Sequence, residues 1–194
     1  MIRLKVTGIS SLTDARYCAG MGVEFLSICF DEKGKGGMSP EAFSGIQPWI
    51  EGVNWIGEYP GNDSDTLRSL NTLYKIESWI SPIEIAPSEI PPGLTIIRSV
   101  SSPASADDSV SAHLQLEGSQ DFSSSGLQKI RELIQNKNTL FLGEPLPADE
   151  VIRIYQEIPE LIFSLRSSQE ERPGWMDLGT LQDYMEALED FLSQ

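Results

Sequence analysis

LKVTGISSLTDARYCAGMGVEFLSICF, residues 4–30, is the stretch that decides the fold. Apolar and polar side chains alternate over residues 4–7, as in a strand with two different faces. Ser11, with Asp14 three residues later, predicts the start of a helix, and residues 25–30 predict a second buried strand. A strand, a helix and a strand within about 27 residues form a βαβ unit. Such a unit places two parallel strands side by side through a right-handed crossover.

The same alternation of strand and helix continues to the end of the chain. Further strands are predicted at residues 53–58, 74–80, 94–100, 112–117, 139–142 and 161–165, and a last helix at residues 178–192. Helices are also predicted between most of these strands. The exception is the segment 82–92, whose four prolines exclude a long helix.

Eight strands and about seven helices in alternation predict an α/β fold with a parallel sheet, and a count of eight favours closure into a barrel. We therefore expect residues 1–194 to form one domain, a small single (β/α)8 TIM barrel with an irregular fourth crossover. The alternative is an open flavodoxin-like or Rossmann sheet. No Gly-x-Gly-x-x-Gly sequence follows any predicted strand, which disfavours that alternative.

The composition argues against several classes of function. The chain carries 14 Lys and Arg against 29 Asp and Glu, a net charge of −15, so neither nucleic acid nor an anionic membrane is an expected partner. No apolar run reaches the roughly 20 residues that a membrane span needs, and no signal-peptide pattern opens the sequence, so a cytoplasmic protein is expected. With one His in the chain no metal site is expected, and Cys18 and Cys29 are predicted to be core residues.

Candidate site residues come from the C-terminal ends of the predicted strands, because a parallel barrel builds its site from those ends and the loops after them. Thr7, Arg98, Glu117 and Arg166 lie near four such ends and are expected to converge on one mouth, with Lys5 on the same strand face as Thr7. Charged side chains inside a small barrel are normally paired, since desolvating one alone is costly. The charged residues therefore form either a structural ion network or a site for an anionic ligand, in which Glu117 donates or accepts a proton.

Three segments, LKVTGISSLTDA, GVEFLSICF and MSPEAF, resemble the start of phosphoribosylanthranilate isomerase, a barrel enzyme of tryptophan biosynthesis. That family typically reads K-I-C-G-I-T, L-x-D-A, G-A-D-x-x-G-F-x-F and S-P-E in these places. A weaker likeness continues through IIRSV, LQLE and SSQEERPGWMD, so the resemblance covers essentially the whole chain. It implies an Amadori rearrangement of an aminoaldose to an aminoketose. That reaction takes a general base on the first strand, a general acid on a later strand and backbone amides that bind the substrate phosphate.

The chain departs from the family pattern at the positions that carry this chemistry. The family's catalytic Cys falls on Thr7, whose unactivated hydroxyl cannot act as a base near neutral pH as a thiolate can, and its acid Asp falls on Glu117. The Arg expected to meet the anthranilate carboxylate falls on Gly36. The phosphate-binding glycines fall at residues 143–145, which read Gly-Glu-Pro, and near Ser168. Together these changes predict weak phosphate binding and loss of the isomerase chemistry.

Two classes of function stay open at this point. One is an enzyme, a phosphoribosylanthranilate isomerase-like sugar-phosphate isomerase with Thr7 and Glu117 at the catalytic positions. The other is a non-catalytic barrel that binds a small anionic ligand or a partner protein. A small phosphorylated or anionic sugar-like ligand is possible in both, and no cofactor is expected. The predicted ligand-binding residues are Lys5, Arg98, Gly143, Arg166, Ser167 and Ser168. The protein is expected to be a monomer or a homodimer.

Overall fold

Eight parallel strands close into a barrel in a computed structural model that describes residues 1–35, 37–85, 87–107, 109, 111–167, 170–172, 175–176 and 179–193. Each strand pairs with the next one along the chain, and the eighth pairs with the first. The strands are β1 (Arg3–Thr7), β2 (Phe25–Cys29), β3 (Asn54–Glu58), β4 (Ser78–Ser81), β5 (Thr95–Val100), β6 (His113–Leu116), β7 (Thr139–Leu142) and β8 (Ile162–Arg166). The closed parallel barrel confirms the predicted (β/α)8 fold and rules out the open sheet.

Helices follow the strands and cover the outside of the barrel. They are α1 (Leu12–Gly20), α2 (Pro40–Ile46), α3 (Ser64–Tyr74), α4 (Pro103–Asp107), α5 (Ser124–Asn136), α6 (Ala148–Glu157) and α7 (Gly179–Leu192), with one-turn 3₁₀ helices at Gln47–Trp49 and Pro87–Glu89. The 3₁₀ turn is the only helix in the described part of the fourth crossover, as the prolines predict. A short antiparallel pair, β9 (Glu170–Arg172) with β10 (Trp175–Met176), precedes α7 and was not predicted.

Short polar side chains begin the first helices. The Ser11 Oγ accepts a hydrogen bond from the Asp14 amide at 3.2 Å, which confirms the predicted start of α1. Asp63 accepts hydrogen bonds from two amides of the first turn of α3.

The predicted fourth strand begins too early, at Tyr74, because Tyr74 is the last residue of α3 and its ring is buried among helix-side residues. Its hydroxyl donates to the Met38 carbonyl at 2.6 Å.

The strands separate two apolar layers, since alternate side chains point to opposite faces of a sheet. One layer lies between the barrel and its helices and includes Leu4 and Val6 of β1. The other lies inside the barrel and reaches the C-terminal ends of the strands at Ile80. It consists of Ile56, Ile80, Ile97, Phe141 and Ile162, with Phe25 packed against them. Within the described residues, no helix is long and apolar enough to cross a membrane.

Candidate active site

Polar residues share the barrel interior with the apolar layer. Lys5, Ser27, Gln115 and Ser164 are almost fully buried, and the alternation along their strands places all four on the inner face. The next inner positions lie at the C-terminal ends of the strands, which we call the mouth. They are Thr7, Cys29, Glu58, Ser99, Glu117, Gly143 and Arg166. The sequence therefore places a polar layer directly beneath the end of the barrel where TIM barrels carry their sites.

A chain of hydrogen bonds connects two carboxylates of the mouth through the buried layer. The Lys5 Nζ lies 2.9 Å from the Glu58 Oε1 and donates to the Gln115 Oε1 at 2.5 Å. The Gln115 Nε2 in turn donates to the Glu117 Oε1 at 2.5 Å. The Ser27 hydroxyl also donates to the Glu58 Oε1, at 2.5 Å. Because the Lys5 side chain is 0% exposed, its ammonium depends on this carboxylate and this amide for the charge compensation that water would otherwise provide.

Within the described part of the chain, each carboxylate is held through one oxygen. Among the described residues, none donates a hydrogen bond to the Oε2 of Glu58 or to the Oε2 of Glu117. Both residues line the same open cavity of about 380 Å³ at the mouth, together with Cys29, Tyr59, Ile80 and Ser99. The cavity therefore brings together two carboxylates that are anchored and can still exchange a proton with a bound molecule.

Gly143 makes room for one of these carboxylates. A Cβ at this position would lie 2.6 Å from the Glu117 Oε2 and 3.1 Å from the Gln115 Nε2. The Gly143 amide donates to the Leu116 carbonyl at 2.8 Å and so belongs to the barrel's own hydrogen bonds. The structure thus gives this glycine a role beside Glu117, and its amide is not free to bind a phosphate.

Ser167 is likewise committed to the barrel. Its amide donates to the Thr7 carbonyl and its hydroxyl donates to the Gly8 carbonyl, both at 2.8 Å. Arg166, directly before it, is exposed and lies opposite Thr7 in the strand register. Within the described residues Arg166 makes no hydrogen bond or ion pair, so its guanidinium is available to an anion at the mouth. Ser168, the remaining predicted ligand residue, and Gly36 lie outside the described residues.

Arg98 does not lie with the other predicted site residues. It shares the outer face of β5 with Ile96 and Val100, which belong to the layer under the helices, and it forms an ion pair with Glu84. Arg98 was predicted to lie at the mouth, and this prediction is wrong. The residues of β5 that face the barrel interior are its neighbours, Ile97 and Ser99. The predicted network of Lys5, Arg98, Glu117 and Arg166 is replaced by Lys5, Glu58, Gln115 and Glu117.

Cys29 also lies elsewhere than predicted. Cys18 is buried as expected, but Cys29 is solvent-accessible and lines the mouth cavity. The protein that surrounds it on the inside of the mouth desolvates the thiol and raises the pKa of Cys29 to about 12, and the nearby Glu58 carboxylate acts in the same direction. Cys29 is therefore protonated near neutral pH.

The backbone of this barrel superposes on a known group of enzymes over nearly its full length. The crystal structure of phosphoribosylanthranilate isomerase from Thermus thermophilus matches with a TM-score of 0.75 and 18% identity, covering 98% of this chain and 100% of that one. The chain has the fold of these isomerases. A further phosphoribosylanthranilate isomerase structure, in complex with reduced 1-(o-carboxyphenylamino)-1-deoxyribulose 5-phosphate, matches with a TM-score of 0.73, 16% identity and the same coverage.

The likeness extends to the crystal structure of a protein described as KGPDC, from Streptococcus mutans. Its TM-score is 0.63 at 12% identity, and the match covers 97% of this chain and 96% of that one. No protein-family model matches the chain, and no curated protein matches it in sequence. The structural neighbours therefore establish the fold, and the function has to be argued from the mouth.

Glu58 is the carboxylate of the site that was not predicted from the sequence. It ends β3 on the inner face, two residues after Ile56 of the interior layer. A signal for it was present in the sequence, because a carboxylate at the C-terminal end of a strand is the same feature that singled out Glu117.

Proposed function

We propose that this protein is an aldose–ketose isomerase of the phosphoribosylanthranilate isomerase type, acting on a small sugar-like substrate in the mouth cavity. The observation that carries the proposal is the position of Glu117. It lies at the C-terminal end of β6 in an open cavity, with its Oε1 fixed by Gln115 and its Oε2 without a donor among the described residues. An anchored carboxylate with one free oxygen is suited to donating and accepting protons on a bound sugar.

The reaction class fits what the mouth offers. Isomerisation of an aldose to a ketose moves protons between carbon and oxygen atoms of one molecule and leaves its composition unchanged. It therefore needs an acid, a base and a cavity that positions the substrate. The cavity of about 380 Å³ falls within the size range of small-molecule sites. The fold shared with the solved isomerases supports the same class.

The substrate's anionic group would be held differently from the family pattern. The first amides after β7 and β8, those of Gly143 and Ser167, already donate to carbonyls of the barrel. Arg166 is the cation of the mouth that has no carboxylate partner within the described chain. We therefore assign the binding of a phosphate or carboxylate group to Arg166, with an affinity lower than backbone amides at a helix N-terminus would give.

The Thr7 hydroxyl, which makes no hydrogen bond to a described residue that could activate it, favours a second candidate function, a barrel that binds the ligand without turnover. Two measurements distinguish these candidate functions. Turnover of phosphoribosylanthranilate is followed by the loss of its fluorescence, and binding of reduced 1-(o-carboxyphenylamino)-1-deoxyribulose 5-phosphate is followed by calorimetry. Turnover that Glu117→Gln lowers by about 10²–10⁴-fold supports the isomerase. Binding without turnover supports the second candidate.

The matched control is Glu132→Gln, which removes an exposed carboxylate on the outer surface of α5. It should bind and turn over substrate as the unmodified protein does. Arg166→Ala should weaken binding of the phosphate compound. Absence of both turnover and binding would contradict both candidates.

A further inference from the structure

We propose that Glu58 is the general base of this site, in the role that Thr7 cannot fill, with Glu117 as the acid across the same cavity. This inference rests on the isomerase function proposed above and adds a residue to it. Glu58 lies on β3, so the acid–base pair of this protein is built from β3 and β6.

The geometry of Glu58 suits a base. Its Oε1 is fixed by two donors, the Lys5 ammonium at 2.9 Å and the Ser27 hydroxyl at 2.5 Å. Its Oε2 accepts from no described residue, and the side chain is 19% exposed through the cavity that Glu117 also lines. A carboxylate fixed at one oxygen and open at the other is held in position to take a proton from a bound substrate.

The surroundings also distinguish the two carboxylates by charge. Glu58 is the carboxylate that is paired with the fully buried Lys5 ammonium. Glu117 receives its hydrogen bond from a neutral amide, that of Gln115. Two carboxylates in different environments can divide the acid and base roles in this way.

The other candidates at the mouth are poorer bases. The Thr7 hydroxyl makes no hydrogen bond to a described residue that could activate it. Cys29 lines the cavity, but with a pKa of about 12 it holds its proton near neutral pH. Ser99 is a further hydroxyl of the cavity and shares the limitation of Thr7.

The proton transfers balance within the substrate and these two residues. Glu117 gives a proton to the ring oxygen as the C1–O bond breaks and the nitrogen lone pair forms the C1=N bond. Glu58 then takes the C2 proton, and the C–H electron pair forms a C1=C2 bond as the C=N electrons return to nitrogen. Finally C1 takes the proton from Glu58, and O2 gives its proton to Glu117 as the ketone forms. Both carboxylates return to their starting states, and no co-reactant is needed.

A partial reaction tests the base without the ring-opening step. The aminoketose product, 1-(o-carboxyphenylamino)-1-deoxyribulose 5-phosphate, already has an open chain, so exchange of its C1 protons in D₂O needs the base and does not need ring opening. Proton NMR should show this exchange with the unmodified protein. Glu58→Gln should slow it by about 10²–10⁴-fold. The control Glu132→Gln should exchange at the unmodified rate.

A second variant, Glu58→Asp, covers the case in which Glu58→Gln fails to fold. It keeps the negative charge beside Lys5 and shortens the side chain. It should fold, as judged by circular dichroism, and exchange more slowly than the unmodified protein. If the unmodified protein turns over phosphoribosylanthranilate while both Glu58 variants exchange at its rate, the inference is wrong and the isomerase function stands. If the unmodified protein neither turns over the substrate nor exchanges the product, the isomerase function fails, and Glu58 as its base fails with it.

Discussion

Gly143 shows how closely single atoms are matched at the mouth. Because glycine has no Cβ, the space next to the Glu117 Oε2 stays empty. A Cβ at residue 143 would lie only 2.6 Å from that oxygen. The Glu117 carboxylate ends a flexible side chain, so it can move away from an added methyl group without disturbing the barrel. This glycine therefore determines where the Glu117 carboxylate lies in the cavity.

Gly143→Ala is therefore expected to separate activity from stability. The displaced carboxylate should lower the turnover number by about 10²-fold, because a misplacement of roughly 1 Å is enough to have that effect. The free energy of unfolding should change by less than about 1 kcal/mol. Steady-state kinetics and thermal unfolding measure the two quantities. Gly45→Ala in α2, where an added Cβ meets nothing within 4 Å, is the control and should leave turnover unchanged. Full activity of Gly143→Ala would contradict the role assigned to this glycine.

The residues of the site could be predicted only in part. The placement of Lys5 and Glu117 inside the barrel follows from strand alternation. The prediction for Arg98 was wrong because it rested on the residue's nearness to a strand end and not on the face of the strand that it occupies. Its neighbour Ile97 is the residue that points inward. The partnership of Lys5 with Glu58 spans 53 residues of sequence, and no local pattern indicates which carboxylate a buried lysine will meet.

At the scale of elements, β3 and β4 are held together by one large ring on the outside of the barrel. Trp79 of β4 is fully buried against Gly57 of β3, its partner in the register. Its indole Nε1 donates to the Asn71 Oδ1 and to the Ile76 carbonyl, each at 3.0 Å. The ring therefore links the end of α3 to two strands and cannot shift without breaking these bonds.

Gly57→Ala should accordingly destabilise the protein. The new Cβ would lie 2.5 Å from two carbons of the Trp79 ring, and the ring is held in place on its other side. Overpacking of this kind lowers the free energy of unfolding by about 1–3 kcal/mol, which urea denaturation would measure. Gly20→Ala, at the end of α1 with no atom within 4 Å of the added Cβ, should stay close to the unmodified protein. Equal stability of the two variants would show that the Trp79 ring has room to move.

Most elements follow from local sequence because their signals are local. Helix starts at Ser11 and Asp63 are given by side chains that cap the amides of the next turn. The short 3₁₀ turn in the fourth crossover follows from its prolines. The boundary at Tyr74 could not be found this way, because an aromatic residue suits a strand as well as a helix. Its packing among distant helix-side residues decides the outcome.

For the whole molecule, closure of the barrel depends on what fills its interior. The interior contains an apolar layer and also Lys5, whose ammonium joins β1 to Glu58 of β3 and to Gln115 of β6. Strand count and alternation were enough to predict a closed barrel. They could not predict this cross-barrel connection, because it depends on register between strands far apart in sequence.

Lys5→Met tests how far the closed barrel depends on this connection. The change removes the partner of the Glu58 carboxylate, whose side chain is only 19% exposed, and leaves the Gln115 carbonyl oxygen without its donor. Breaking a buried pair from one side lowers the free energy of unfolding by about 3–5 kcal/mol. The double variant Lys5→Met with Glu58→Leu removes both charges and should recover most of that loss, since apolar replacement of a buried pair is often neutral or stabilising. Denaturant unfolding of the single and double variants measures both. If Lys5→Met alone were as stable as the unmodified protein, the ion pair would have no part in holding β1 and β3 across the barrel.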